Sequence, residues 1–98
     1  CLITVAGDLN HEALSHHHRT SPLTGSLNPI HHAKKLANLP QNHFSGANDP
    51  IVPPWVAKQF ADAVDSSACV NIHTFPNVKH HQGWLQHANT MLNSPCEC

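Results

Sequence analysis

The sequence contains no tyrosine, a single methionine and few charged side chains. Its 98 residues carry 5 Lys and Arg against 6 Asp and Glu, which gives a formal net charge of -1 at pH 7. Nucleic-acid-binding domains usually carry an excess of basic residues, so we expect no nucleic-acid partner. Charged residues make up only 11% of the chain and hydrophobic residues 40%, whereas disordered chains combine low hydrophobicity with high charge. The composition therefore predicts a folded chain.

Long apolar runs are also absent. No run approaches the roughly 20 residues that a helix needs to span a bilayer, so no transmembrane segment is predicted. The chain begins at Cys1 and enters an apolar segment at once, without the charged region that opens a signal peptide. We expect residues 1–98 to form a single domain that is a C-terminal fragment of a larger one.

Cysteine is scarce and irregularly spaced. The four cysteines are Cys1, Cys69, Cys96 and Cys98. Small secreted proteins that depend on disulfides are denser and more regular in cysteine, so no disulfide framework is predicted. Cys69 falls in an apolar segment and is expected to be a small buried hydrophobic side chain. Cys96 and Cys98 are expected in a frayed terminus, with a metal or redox pair as the alternative.

Three segments have the composition of β-strands. Residues 2–6 are apolar except for Thr4, which is typical of a strand buried on both faces of a parallel sheet. A short strand is predicted at residues 41–45. Residues 69–75 alternate between apolar and polar side chains, which favours a strand nearer the sheet edge than the first one.

Helical patterns lie between and after these strands. Helices are predicted to begin after the capping residues Asn10 and Asn28, at the Pro53-Pro54 pair, and at Trp84. The third of them carries an apolar stripe of Val56, Phe60, Ala63 and Val64, and Asp65-Ser66-Ser67 is predicted to close it. Strands that alternate with helices imply parallel pairing through right-handed crossovers. The sequence therefore predicts an α/β fold.

Two loops follow strands and carry the side chains best suited to catalysis. Asp49 lies in the turn after the second strand, and His80 and His81 lie in the loop after the third. In open α/β sheets function gathers at the carboxyl ends of the strands, and neighbouring strands lie about 4.8 Å apart. A carboxylate there can fix the tautomer of an imidazole and stabilise its protonated form. We expect Asp49 to pair with one of these two rings.

These loops carry a resemblance to a known family. The pattern Gly-x-x-Asp-x-x-Val-Pro at residues 46–53, followed by His-x-x-Gly-Trp at residues 80–84, resembles the C-terminal part of a bacterial α/β-hydrolase. The Ser-Pro-Leu-Thr-Gly-Ser-Leu-Asn-Pro segment at residues 21–29 and the His-Phe-Ser-Gly approach at 43–46 are similar to serine hydrolases of this fold. The resemblance extends over residues 2–92.

The resemblance implies a fold and an activity. The fold would be a partial three-layer sandwich, with about three parallel strands that correspond to the family's sixth, seventh and eighth strands, and with flanking helices. The activity would be hydrolysis of a small-molecule ester, thioester or amide through a serine acyl-enzyme, without a cofactor. Asp49 matches the family's catalytic acid and His80 its catalytic histidine, which lies three residues before a glycine as His80 does before Gly83. The resemblance therefore implies that Asp49 pairs with His80 and that His81 is the more exposed ring.

One required part of the family pattern is missing. The family's nucleophile lies in a Gly-x-Ser-x-Gly elbow before its sixth strand, and this pattern does not occur in the sequence. The family's oxyanion-hole segment also lies upstream of the matching region. We therefore expect this chain to supply the acid and the histidine of a Ser-Asp-His triad and to be inactive alone.

The histidine content supports an alternative of a different class. The 11 histidines include clusters at residues 16–18, 31–32 and 80–81. Neutral imidazole is a common metal ligand, so a non-catalytic metal-binding or interaction module is the second hypothesis. Adjacent histidines on a helix point about 100° apart, and no His-x-x-x-His pair occurs, so these clusters are poor chelators and no metal site is predicted.

Overall fold

A three-stranded parallel sheet forms the centre of the molecule. The structure is a computed structural model that describes residues 1–64 and 69–98. The strands are β1 (Leu2–Val5), β2 (Gln41–Gly46) and β3 (Val70–Phe75), in the spatial order β1-β2-β3. Both pairs are parallel, and Gln41 lies level with Leu2 on one side and Val70 on the other. The predicted α/β class with three parallel strands and flanking helices is confirmed.

The helices occupy the predicted positions. One of them is a 3₁₀ helix along its whole length, and another begins with a 3₁₀ turn. The α-helices are α1 (His11–His18), α2 (Pro54–Val64) and α3 (Ala88–Asn93). The segment Pro29–Leu36 is 3₁₀ throughout, and a 3₁₀ turn over Leu85–His87 precedes α3. The predicted helix-closing residues 65–67 lie outside the described residues.

The two predicted helix caps behave differently. The Asn10 side chain accepts a hydrogen bond from the Ala13 amide at 3.3 Å, as an N-cap does. Asn28 makes no side-chain cap for the helix that follows it, so that prediction is wrong. Its carboxamide oxygen instead accepts from the His11 amide at 3.2 Å, and its nitrogen donates to Asn10 at 3.2 Å. Asn28 therefore ties the loop to the start of α1.

The order of the strands reverses the expected burial of β1. The apolar composition of β1 predicted burial on both faces, yet Ile3 is 55% exposed and Val5 47% exposed. Within the described chain β1 has a neighbour on one side only, because β2 lies between it and β3. All six residues of β2 are buried instead. β3 was predicted to lie nearer the sheet edge than β1, and this comparison is wrong because both strands are edge strands of the described sheet.

Buried β2 is polar, and two of its side chains, Gln41 and His43, are joined in a chain of hydrogen bonds. Gln41 donates from Nε2 to the Leu36 carbonyl at 2.9 Å, and its Oε1 accepts from Nε2 of His43 at 2.8 Å. The Thr4 hydroxyl lies 2.7 Å from Nδ1 of His43. Burial lowers the pKa of His43, so the ring is neutral near pH 7 and the hydroxyl donates to its free nitrogen. This chain of hydrogen bonds joins β1 to β2.

The apolar core lies between the sheet and the surrounding helices. Phe60 packs edge-to-face on the His43 ring, with centroids 5.4 Å apart. Of the predicted α2 stripe, Ala63 is only partly buried. The cluster of buried core residues comprises Leu9, Leu14, Ala33, Val52, Val56, Ala57, Phe60 and Val64. On β3, Phe75 stacks on His87 at 4.1 Å and meets Trp84 edge-on at 6.3 Å, which places the chain's last helical segments against the sheet.

All four cysteines are paired, so the prediction of no disulfide framework is wrong. Cys1 is bonded to Cys96, and Cys69, which is buried as expected, is bonded to Cys98. The bonds close loops with sequence separations of 95 and 29 residues. Local spacing could not reveal this pairing, because it depends on the C-terminal residues returning to the start of the sheet.

Candidate active site

The loops after β2 and β3 are held together by backbone contacts. Ala47 donates its amide to the Phe75 carbonyl at 2.9 Å, and Asn48 donates to the Val78 carbonyl at 3.0 Å. Gly46 lies so close to Val78 that a Cβ atom at this position would collide with the Val78 backbone. The glycine of the Gly-x-x-Asp pattern is therefore required by close approach of the two loops. The contact brings the acid loop against the histidine loop.

The Asp49 carboxylate is fully buried, and three hydrogen bonds fix its orientation. Its side chain has 0% of its surface exposed. Oδ1 accepts hydrogen bonds from the amides of Ile51 at 2.8 Å and Val52 at 2.9 Å. Oδ2 accepts from Nδ1 of His80 at 2.9 Å. Charge-assisted bonds of this kind both stabilise the carboxylate and orient it toward the histidine ring.

His80 lies at the surface end of this pair. Its side chain is 24% exposed, and its carbonyl accepts a hydrogen bond from the Trp84 indole at 3.0 Å. Lys79 donates its amide to the Gln82 carbonyl at 2.9 Å, and Gly83 has a φ of +94°, which a glycine adopts without strain. These contacts fix the turn that presents the His80 ring to Asp49.

The tautomer of His80 follows from its carboxylate partner. Because a carboxylate only accepts, Nδ1 of His80 carries the proton and Nε2 carries the free lone pair. In the part of the chain that the structure describes, no group hydrogen-bonds to Nε2. The ring is thus arranged to accept a proton from a group that approaches it from outside.

The predicted choice between the two adjacent histidines is confirmed in its geometry. His80 is the ring that pairs with Asp49, and His81 is exposed. The two rings meet edge-on with centroids 4.6 Å apart. The catalytic roles of Asp49 and His80 stay predictions, because their geometry does not itself report a reaction.

His80 borders a shallow open pocket. The pocket has a volume of about 280 Å³ and is lined by Pro50, Ile51, Lys79, His80, His81 and Gln82. A second pocket of similar volume shares Ile51 and continues toward α1, where Leu14 and Leu23 line it. His18 approaches the Ile51 carbonyl with Nε2 at 2.7 Å. The acid loop therefore has a small-molecule-sized space on either side.

The histidine clusters do not assemble a metal centre in residues 1–64 and 69–98, where no three His, Cys, Asp or Glu side chains are placed to hold one ion. The neighbouring histidines instead make separate contacts. His17 packs against Trp55 with centroids 5.4 Å apart, and His31 lies 3.7 Å from the Glu12 carboxylate. Histidines that are adjacent in the sequence therefore do not bring three metal ligands together in the described residues.

Two parts of the site were not identified from the sequence. The amides of Ile51 and Val52 orient Asp49, although the Asp-Pro-Ile-Val sequence is one in which an aspartate commonly bonds the backbone just after it. Trp84 was expected to anchor the last helix by packing. It does contact Phe75, but its indole also anchors the His80 backbone. Trp55 packs against His17 and lines a separate pocket with Ile72 and Thr74 of β3, which neither Asp49 nor His80 lines.

Comparisons of the chain with protein families, curated proteins and solved structures gave no match. Among the described helices, none is long and apolar enough to cross a bilayer. The hydrolase interpretation therefore depends on the two loop motifs and on the geometry of the residues that they carry.

Proposed function

We propose that this chain is the C-terminal part of a serine hydrolase with the three-layer α/β-hydrolase fold. It supplies the acid, Asp49, and the histidine, His80, of a Ser-Asp-His triad that cleaves a small-molecule ester, thioester or amide. The nucleophilic serine and the oxyanion hole belong to a region outside this sequence. The observation that carries the proposal is the 2.9 Å contact between the buried Asp49 carboxylate and Nδ1 of His80.

The geometry of the pair suits general acid–base catalysis. Nε2 of His80 removes the proton from a serine hydroxyl as that oxygen attacks the substrate carbonyl. The imidazolium that forms is stabilised by Asp49, whose own position is held by the two backbone amides. The same proton then passes to the leaving group, and the cycle repeats with water in place of the serine.

The surroundings of the pair support this role over that of a structural ion pair. A purely structural pair has no need of an accessible ring, yet His80 is 24% exposed and lines the pocket beside Ile51. Asp49 and His80 also lie in the loops that follow two neighbouring parallel strands, the usual place for function in open α/β sheets. In the described residues no observation favours the metal-binding alternative.

The decisive experiment uses the longer coding sequence. The proposal requires a Gly-x-Ser-x-Gly pattern upstream of Cys1, in a protein that hydrolyses p-nitrophenyl butyrate. In that protein Asp49→Asn and His80→Gln are each expected to lower kcat by a factor of about 10³–10⁴.

The matched control is His16→Gln, which changes an exposed histidine of α1 that lines neither pocket beside the acid loop. This variant should stay within about twofold of the wild-type kcat, because His16 is remote from the Asp49–His80 pair. An active His80→Gln variant, or a longer protein without a serine elbow, would overturn the proposed function.

A further inference from the structure

The C-terminal segment 94–98 lies across the amino ends of all three strands. Cys96 is bonded to Cys1, which directly precedes β1, and Cys98 is bonded to Cys69, which directly precedes β3. Directly before Cys96, the Pro95 carbonyl accepts a hydrogen bond from the side-chain amide of Asn42 in β2 at 3.1 Å. We call residues 94–98 the C-terminal clasp. It is attached to each edge strand by a covalent bond and to the central strand by a hydrogen bond.

Apart from the clasp, little holds the end of the chain in place. Helix α3 has six residues and none of them is buried. Leu92 is 82% exposed, and an open groove of about 350 Å³ separates α3 from Ile3 and Val5 of β1. A helix this short is not stable by itself in water, since isolated helices below about 12–15 residues are marginal. The stack of His87 on Phe75 holds the start of α3, and the two disulfides are the main restraints on its far end and on the clasp.

We propose that the C-terminal clasp is a thiol-sensitive lock. With both disulfides intact it holds α3 against the sheet, and a dithiol reductant opens it. Each disulfide accepts two electrons from one dithiol and yields two cysteine thiols, while the reductant becomes a cyclic disulfide. Cys1 and Cys98 are exposed, so each bond has one sulfur on the accessible side of the molecule. The proposal does not depend on the proposed hydrolase activity.

Opening of the lock should leave the other end of the sheet in place. Asp49 follows the carboxyl end of β2, and a six-residue strand places that end about 20 Å from the clasp. His80 is held by Asp49 and by the Trp84 indole, which both precede the clasp and α3 in the chain. We expect a local release of residues 88–98 with the Asp49–His80 pair intact.

The test compares oxidised and dithiothreitol-reduced forms of this chain by ¹⁵N relaxation. Peptide mapping of the oxidised form should first recover Cys1 with Cys96 and Cys69 with Cys98. Upon reduction, order parameters of residues 94–98 should fall from about 0.85 to below about 0.6, while those of β2 and α2 stay near 0.85. The melting temperature should fall by at least about 10 °C, since both closed loops are long.

Serine variants that remove one partner of each disulfide provide the control. Cys96→Ser with Cys98→Ser should reproduce the reduced behaviour without reductant, and dithiothreitol should then change nothing further. Cys1→Ser with Cys69→Ser removes the same two bonds through the other cysteine of each pair and should give the same result. A different pairing, order parameters for residues 94–98 that do not respond to reduction, or loss of the whole fold on reduction would each overturn the proposal.

Discussion

At the scale of single residues, the environment of a histidine decides its role more than its neighbours in the sequence do. The His43 ring makes two hydrogen bonds, to Thr4 and Gln41, whereas the His80 ring makes one, to Asp49, and reaches the surface. His43 is fully buried and packs on Phe60, and in the described residues no charged group is bonded to it.

We predict that His43 makes the fold sensitive to acid. Burial lowers the pKa of His43 below the ordinary histidine value of 6.5. Below pH 6.5 this side chain is therefore protonated more readily in the unfolded chain than in the folded one. The stability from this group is thus fully present above pH 6.5 and is lost as the pH falls toward the lower, folded pKa. The slope from this one group is at most about 1.4 kcal/mol per pH unit.

Urea unfolding of the wild type and of His43→Gln between pH 5 and pH 8 measures this term. The variant is expected to be less stable at pH 8, because its side chain does not reproduce the bonds to Thr4 and Gln41. Its free energy of unfolding should also fall less steeply below pH 6.5. His81→Gln serves as the exposed control, and equal pH dependences for wild type and His43→Gln would contradict the assignment.

At the scale of elements, the edge strand β1 is the least protected part of the sheet. Its backbone is paired with β2 on one side, and in the described chain no strand pairs with the other side. Ile3 and Val5 expose about half of their surface at the same place. Unpaired edges with apolar side chains are templates for association with another chain.

We therefore predict that the isolated chain associates with itself through β1. Sedimentation velocity at rising concentration should show a growing average mass for the wild type. Ile3→Lys and Val5→Lys should shift the distribution toward monomer, because a charge on an edge strand opposes pairing. The matched control is Leu85→Lys, which removes a leucine that is 90% exposed and lies outside the sheet. A wild type that stays monomeric with a sharp thermal transition at high temperature would contradict this prediction.

At the scale of the whole molecule, the proposed triad has no serine elbow within residues 1–98, because no Gly-x-Ser-x-Gly pattern occurs in the sequence. We predict that purified residues 1–98 have no esterase activity on p-nitrophenyl acetate or butyrate above the background rate. His80→Ala is the control, since free imidazoles cleave activated esters weakly and the chain has 11 histidines. A saturable rate that disappears in His80→Ala would show that this chain holds a complete active site.

Much of the architecture was predictable because it follows from local patterns of apolar and turn-forming residues. Turn residues and apolar spacing predicted three strands with helices between them, and their order predicted parallel pairing. The Asp49–His80 pair was predictable for the same reason, since each residue directly follows a strand and such loops meet at one edge. The hydrogen bonds that Ile51, Val52 and Trp84 donate were not predictable, because they depend on loop conformation.

The sequence by itself determined the α/β class, the element order and which histidine meets Asp49. Only the tertiary structure decided which strand is central, so that polar β2 is buried around His43 while apolar β1 is exposed at the edge. It also decided the pairing of Cys1 with Cys96 and of Cys69 with Cys98. The physical reason is the same in each case: local patterns report what a segment prefers, whereas burial and disulfide pairing depend on which distant segments the fold brings beside it.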